Sequence, residues 1–401
     1  MEANVQTVPL PDNVPPQLVV DFDVYAPEGA EKDLLGTWAR MREDKPDIVW
    51  TPRNGGHWLP LRFDDIDFMQ RNHDPFSMTN IIVPTELGRT RALPIESDPP
   101  EHIGYRMIVN PFFTPKKIMG LEGFTRDLAI ELIEEVKDKG RCEFMSAFAL
   151  QLPIAIFMKL TNLPQKDASY LLELAEQGLR GKPEDIEPAT MKIFEYITPY
   201  IEERKKNPGE DLISAVVHAK VKGEPITHEE IMSMMIVILF GGLDTVAASM
   251  GFIAEFLGRH PEHRKQLIDD PSLIPDAVYE MMRRFAPSGT ARIITRDYDY
   301  KGLHFKKGDR VFISNLTSGM DDKHFTNPQE IDFRRKEGEI SAFGAGPHRC
   351  PGQLLGLLEI RIFIEEWLKR IPDFRVSKDD PPVYGTGRVN CVKHLVLEWD
   401  V

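Results

Sequence analysis

The sequence predicts a mainly α-helical protein, one large helical domain with small β-sheets at its N-terminal and C-terminal edges. Three observations lead there. Apolar residues recur at three-to-four spacing through about residues 96–290, the period of helices with one buried face. Short β-like runs separated by proline and Asn-Gly turns fill about residues 1–95, and similar runs return over about 291–401. No repeat, low-complexity tract or composition break divides these parts, so residues 1–401 are read as a single domain.

The elements follow in order. Asp47–Trp50 and Gly56–Leu59 read as short strands around a turn. The run Ser97-Asp-Pro-Pro-Glu101 opens a helix, with serine or aspartate as N-cap and proline in the first turn. Phe124–Lys139 is amphipathic and stops at Gly140. Thr227-His-Glu-Glu230 forms a capping box ahead of the apolar run Met234–Ala254, and Gly258-Arg-His-Pro261 is a stop signal after it. A helix of about 30 residues, roughly 45 Å long, results. Its length would admit a membrane span, but Gly241, Gly242 and Asp244 lie at its centre. A charge there costs about 2.5–3.5 kcal/mol on insertion scales. It is therefore read as the buried central helix of a soluble domain. Strands at Arg292–Thr295 and Arg310–Ile313, a helix near Pro351–Ile371 and a β-rich tail complete the chain.

Charge and cysteine content narrow the function. Asp plus Glu number 63 against 49 Lys plus Arg, a net charge of −14, which disfavours nucleic acid and acidic membranes. Three scattered cysteines, Cys142, Cys350 and Cys391, make no disulfide framework. The first residues, MEANVQTVPLPDNVPPQ, lack the basic and apolar regions of a signal peptide. A cytoplasmic protein is expected.

The strongest chemical signal is Ser341-Ala-Phe-Gly-Ala-Gly346-Pro-His-Arg-Cys350-Pro-Gly352, a cysteine in a glycine-rich loop directly before an apolar helix. Amides and a helix N-terminus beside a sulfur favour its thiolate, the form that binds metal. A lone cysteine is more often simply buried and inert. No second Cys or His stands at zinc-site spacing, so one thiolate suits a metal whose other ligands come from a macrocycle such as haem.

With Phe343, Gly346, His348, Cys350 and Gly352 so spaced, the loop resembles the haem-binding signature of the cytochrome P-450 family. Three further segments match that family in order: Ser97–Arg106 with His102 and Arg106, the stretch Gly241-Gly-Leu-Asp244-Thr245, and Glu280-Met-Met-Arg283. Val20–Asp23, Asn54–Trp58, Phe240–Val246 and Arg370–Phe374 carry a closer likeness to its bacterial camphor-hydroxylase branch. The resemblance implies haem b with Cys350 as axial thiolate ligand to iron, and His102, Arg106, Arg292 and His348 at the haem propionates. Phe343 is expected beside the sulfur, and Glu280, Arg283 and Arg335 in a buried ion network that shapes the cysteine loop. It also implies that Asp244 and Thr245 handle the protons that oxygen chemistry consumes. A purely structural role is the alternative: a threonine satisfied by a backbone carbonyl and an aspartate in an ion pair, with Arg180 or Lys182 as partner.

Matched positions give a substrate pocket of Val237, Phe240, Gly241, Ser288, Thr290 and Val389, which suits a small, mostly apolar, terpenoid-like molecule. Camphor-hydroxylating members place a tyrosine ahead of the Asp-Pro-Pro segment; Gly88–Pro94 here has none. Pro351 offers no N–H to the sulfur. No flavin or nicotinamide fingerprint is present, so electrons come from outside. The implied activity is hydroxylation with O2 and electrons from a 2Fe-2S ferredoxin served by an NADH-dependent reductase, by a monomer. Lys116, Lys117 and Arg349 are expected to form the docking face. A peroxide-dependent haem peroxygenase and a non-catalytic haem sensor or carrier remain as alternatives.

Overall fold

The protein is described here from a computed structural model covering residues 7–85, 90–180 and 182–401. The long helix runs from His228 to Arg259. At its start the Thr227 hydroxyl accepts from the Glu230 N–H (3.2 Å), and the Glu230 carboxylate accepts from the Thr227 N–H (2.6 Å). This reciprocal pair satisfies two donors that a helix N-terminus otherwise leaves open. At its end His260 leaves helical geometry, and Pro261 opens the next helix, Pro261–Asp269. Because the helix is apolar around most of its girth, it must be enclosed. Helices Gln151–Thr161, Ile274–Phe285 and Gln353–Arg370 pack on it. It is the one described helix long and apolar enough to cross a membrane, but 61% of its most apolar window is buried inside the protein.

The central helix continues unbroken through Gly241-Gly242. One expectation needs correction: neither serine nor aspartate caps the helix Glu101–Val109, which follows Pro100 without a side-chain cap. The Ser97 hydroxyl instead donates to the Pro94 carbonyl (2.7 Å). The Asp98 carboxylate accepts from the Ser77 hydroxyl (2.5 Å) and the Met78 N–H (3.0 Å), anchoring a neighbouring segment.

The largest sheet has five strands in the order Ile48–Thr51, His57–Pro60, Arg310–Ser314, Gly289–Ile294 and Phe76–Ser77. Its neighbours are antiparallel except His57–Pro60 with Arg310–Ser314. The N-terminal and C-terminal parts of the chain thus share one sheet. Its first hairpin turns through Asn54, Gly55 and Gly56, all at positive φ, and a Cβ on Gly56 would meet Trp50 and Val8 at 2.7 Å. Trp50, Trp58, Phe76 and Phe305 form a compact core on this sheet, separate from the large helical core. A second sheet joins Arg141–Glu143 to Val396–Glu398 and Arg375–Val376, tying the C-terminal tail to the middle of the chain.

Candidate active site

The cysteine loop folds back on itself. The Cys350 N–H donates to the Phe343 carbonyl (2.8 Å) and the Gly344 N–H to that of Ser341 (2.8 Å). Gly346 has a φ of 66°, and a Cβ there would lie 2.7 Å from the Arg71 backbone, so the loop can approach the helix Phe63–Arg71 only with glycine. The sulfur meets the N–H groups of Gly352 and Gln353, at the start of the helix Gln353–Arg370. The donor missing at Pro351 is therefore supplied one and two residues later. Burial pushes the Cys350 thiol pKa up, while the Gly352 amide, Arg106 and the Gln353 amide pull it down. The residue is accessible although it lies deep in the protein, so the surface it exposes faces an internal space.

Four donors converge beside this loop. The His102 and His348 rings lie against each other, tilted by 41° with centroids 4.0 Å apart. Arg106 reaches the Pro347 carbonyl (3.4 Å) and the Asn110 side chain (3.0 Å). Arg292 is buried and donates to the Thr290 hydroxyl (2.9 Å) and the Ala291 carbonyl (3.0 Å). Among the described residues no carboxylate pairs with Arg292, and the buried His348 Nε2 has no hydrogen-bond partner; Asp98 is 3.9 Å from it. Burial, then the neighbouring His102, Arg292 and Arg106, draws the His348 pKa down to about 2. Burial and Arg106 bring His102 to about 4, and burial brings Arg292 to about 10. Two arginines without a carboxylate partner among the described residues, beside an unpartnered imidazole nitrogen, form a site suited to anionic oxygens.

On the central helix, the Thr245 hydroxyl donates to the Gly241 carbonyl (2.7 Å), and Asp244 is ion-paired with Arg180. These are the partners a structural role would also give. Burial raises the Asp244 pKa, against the pull of Arg180 and Arg388. The sequence did not reveal that Cys391 lies beside Arg180, within its electrostatic and hydrogen-bonding reach. Gly241 and Gly242 are exposed in the middle of an otherwise buried stretch, which marks an opening along this face. Val237, Gly241 and Thr245 lie four residues apart on one stripe of the helix. Phe240 faces the helix Ala168–Arg180 at Gly178. Ser288 and Val389 meet in an antiparallel bridge. Thr290 proves to be engaged by Arg292 and Ser288 by the Asn315 side chain (3.1 Å). The segment expected to lack a pocket tyrosine lies partly, at Gly88 and Arg89, outside the described residues.

Glu280, Arg283 and Arg335 meet in one cluster. Arg283 grips both oxygens of Glu280 (2.8 and 2.9 Å), Arg335 adds contacts at 3.0 and 3.1 Å, and the Asp332 N–H donates a further bond (3.1 Å). The side chains of Arg283 and Glu280 are 1% and 4% exposed, so the pair survives only because every charge is answered. Arg283 also binds the Gly319, Pro328 and Glu330 carbonyls, so the network organises residues 319–335 directly rather than the cysteine loop itself.

A planar group with two carboxylates and a metal open to one thiolate fits these residues: Arg106, Arg292, His102 and His348 on one side, Cys350 on the other. Comparisons with known proteins agree. The family model for cytochrome P450 matches residues 179–383. The probable cytochrome P450 127A1 of Sinorhizobium fredii is 32% identical, over 98% of this chain and 98% of its own. The steroid C26-monooxygenase of Mycolicibacterium smegmatis is 29% identical over 89% of each chain. Among solved structures, CYP101J2 shares 39% identity at a TM-score of 0.90, and CYP101C1 34% at 0.91; each match covers 98% of this chain and 100% of the other. A thiol, its amides and two arginines without carboxylate partners thus have the company their chemistry requires, and the chain belongs to the cytochrome P450 family of monooxygenases, whose cofactor is haem b with an axial cysteine thiolate.

Proposed function

We propose that this cytochrome P450 hydroxylates a small, mostly apolar, terpenoid-like molecule with O2, in the cytoplasm and as a monomer. A 2Fe-2S ferredoxin served by an NADH-dependent reductase would deliver the electrons. The observation that carries the reading is the Arg180–Asp244 pair one residue before Thr245, beside the exposed Gly241-Gly242 of the central helix.

Cys350 would hold the iron, and His102, Arg106, Arg292 and His348 the propionates. Bound haem supplies the centre at which dioxygen is reduced and cleaved, and an axial thiolate adds the electron density that favours cleavage. The Phe343 carbonyl fixes the Cys350 backbone, while the amides of Gly352 and Gln353 hold negative charge on the sulfur. The Thr245 hydroxyl gives its hydrogen to Gly241, which leaves the oxygen lone pairs free to accept from a water on the open face. Asp244, whose pKa is raised by burial, can carry a proton inward once Arg180 releases it. In the pocket, Val237, Phe240, Gly241 and Val389 form an apolar lining beside the Ser288 and Thr290 hydroxyls, which accept from Asn315 and Arg292.

Lys116 and Lys117 are exposed on the helix Pro115–Met119, which packs against the helix following Cys350, and Arg349 is exposed beside the ligand. Exposed Met119 and Leu354 lie on the same elements. Such a basic and apolar face suits an acidic electron donor. The deciding experiment supplies NADH, reductase and ferredoxin to the holoenzyme with a panel of small terpenoids. Hydroxylated product that requires the ferredoxin supports the proposal. Product formed only with added peroxide would establish a peroxygenase, and haem binding without any turnover a sensor or carrier.

A further inference from the structure

His260, Glu262 and His263 gather where the central helix ends and the helix Pro261–Asp269 begins, about 22 Å along the helix axis from Thr245 at 1.5 Å per residue. The Nδ1 atoms of His260 and His263 lie 2.9 and 3.3 Å from the same oxygen, Glu262 Oε1. The three side chains offer ligand atoms all within 4.8 Å of one another. In a tetrahedral site with bonds of about 2.0–2.1 Å, neighbouring ligand atoms stand about 3.3 Å apart.

The tautomer of His263 sharpens the case. Its Nε2 is 3.1 Å from the Ile331 carbonyl, where it can only donate. A neutral His263 therefore turns a bare Nδ1 lone pair toward a carboxylate oxygen. Two acceptors at 3.3 Å repel unless a proton or a metal cation lies between them. A ring N–H bonded to a carbonyl is also the arrangement that orients metal-ligating histidines. Both rings are held in place: His260 and His263 pack on Phe256 with centroids 4.5 and 5.0 Å away, and His263 on Phe333 at 5.5 Å.

The surroundings admit a positive ion. The carbonyl end of the 32-residue central helix, which favours a cation, meets the N-terminus of Pro261–Asp269, which does not, so the two helix ends offset each other. The nearby Arg264 is turned to Asp373 and to the Leu257 and Phe374 carbonyls, and Arg259 is paired with Glu255. His260 and Glu262 side chains are 44% and 60% exposed, so water can complete the shell.

We propose that His260, Glu262 and His263 bind one divalent transition-metal ion, zinc by donor type, with water in the fourth position. The ion clamps the end of the central helix to the helix that follows. Through His263 and Ile331 it also steadies the segment leading to Asp332, whose N–H donates to Glu280.

The test titrates Zn²⁺ into haem-loaded enzyme stripped of any other metal, against a chromophoric chelator, with Mg²⁺ as a control. One Zn²⁺ per chain and no Mg²⁺ are expected. Glu262→Gln and His263→Ala should each weaken Zn²⁺ binding at least tenfold, and His260→Ala/His263→Ala should abolish the stoichiometric site. Zn²⁺ should raise the thermal unfolding midpoint of the wild type and leave that of the double variant unchanged. Absence of one-to-one binding by the wild type, or equal affinity in wild type and double variant, overturns the proposal. If the double variant does not fold, the single variants against wild type decide alone.

Discussion

Arg180, at the end of the helix Ala168–Arg180, closes an ion pair with Asp244 in the middle of the central helix. The two side chains are 21% and 12% exposed, so neither charge is fully hydrated. An unpaired carboxylate at such a position would be strongly disfavoured. The pair makes it tolerable, and it also sets how readily Asp244 takes up a proton. Burial raises its proton affinity and Arg180 lowers it, so the group is poised between the two.

That balance predicts a pH profile. If Asp244 must be protonated to deliver a proton, turnover at saturating ferredoxin falls as pH rises through its raised pKa. Arg180→Gln removes the cation that opposes burial, so this falling limb should move to higher pH. Asp244→Asn should abolish the limb and lower turnover by about 10²-fold, the low end for a general acid–base group, because water substitutes in part. Product formation measured across pH in the three proteins checks the order of the limbs. An unshifted limb in Arg180→Gln would assign the pair to structure.

Thr245 should fail differently. Thr245→Ala loses the hydroxyl that stands on the Gly241 carbonyl, yet the helix and haem binding should persist because the change is local. The variant should consume NADH at a rate near wild type while releasing peroxide in place of hydroxylated product. Simultaneous assay of NADH, peroxide and product separates this outcome from simple slowing. Full coupling in Thr245→Ala would remove the hydroxyl from the chemistry.

What the sequence disclosed was local chemistry or chemistry at fixed helical spacing. The Thr227–Glu230 box is legible because both bonds close within three residues. Glu280 and Arg283 are legible because i,i+3 residues share a helix face. The choice between Arg180 and Lys182 was not legible, since the ion pair depends on how two distant helices pack. The same reason hid Cys391, which reaches Arg180 only through the folding of the C-terminal hairpin. Asp98 misled because an N-cap signal says what a side chain can do locally. Ser77 and Met78, some twenty residues earlier, claimed the carboxylate first.

Arg292 offers a test that separates cofactor binding from stability. It is buried, held by Thr290 and Ala291, and pairs with no carboxylate among the described residues. Hydrogen bonds to charged groups are worth about 1.5–3 kcal/mol, so Arg292→Met should speed haem loss roughly 10- to 150-fold. The haem-free variant should nevertheless be no less stable than haem-free wild type, because a buried charge without an anion has been removed. Haem transfer to an acceptor protein and urea unfolding of the haem-free forms measure the two quantities. Equal loss in both would mean that Arg292 serves the fold and not the cofactor.

The exposed basic residues near the cysteine give the last prediction. The chain carries a net charge of −14, so an acidic electron donor is repelled by most of its surface. Lys116, Lys117 and Arg349 interrupt that field beside the elements that hold Cys350, and Arg349 is steadied by Gln353 (2.9 Å). Attraction at one face with repulsion elsewhere both speeds and orients encounter. Reduction by an acidic 2Fe-2S ferredoxin should slow steeply with added salt, because charges farther apart than about 8–10 Å are screened near physiological ionic strength. Lys117→Glu and Arg349→Glu should each lower the second-order reduction rate by about 3- to 10-fold at low salt, a part of the 10- to 10³-fold that electrostatic steering as a whole can contribute. At high salt the variants and wild type should converge, since the first-order electron transfer after docking is untouched. Reversal of Lys378, an exposed lysine on the C-terminal segment, should leave the rate unchanged. Stopped-flow reduction at several ionic strengths reads all three outcomes. A rate indifferent to salt, or equally slowed by Lys378→Glu, would move the docking face elsewhere.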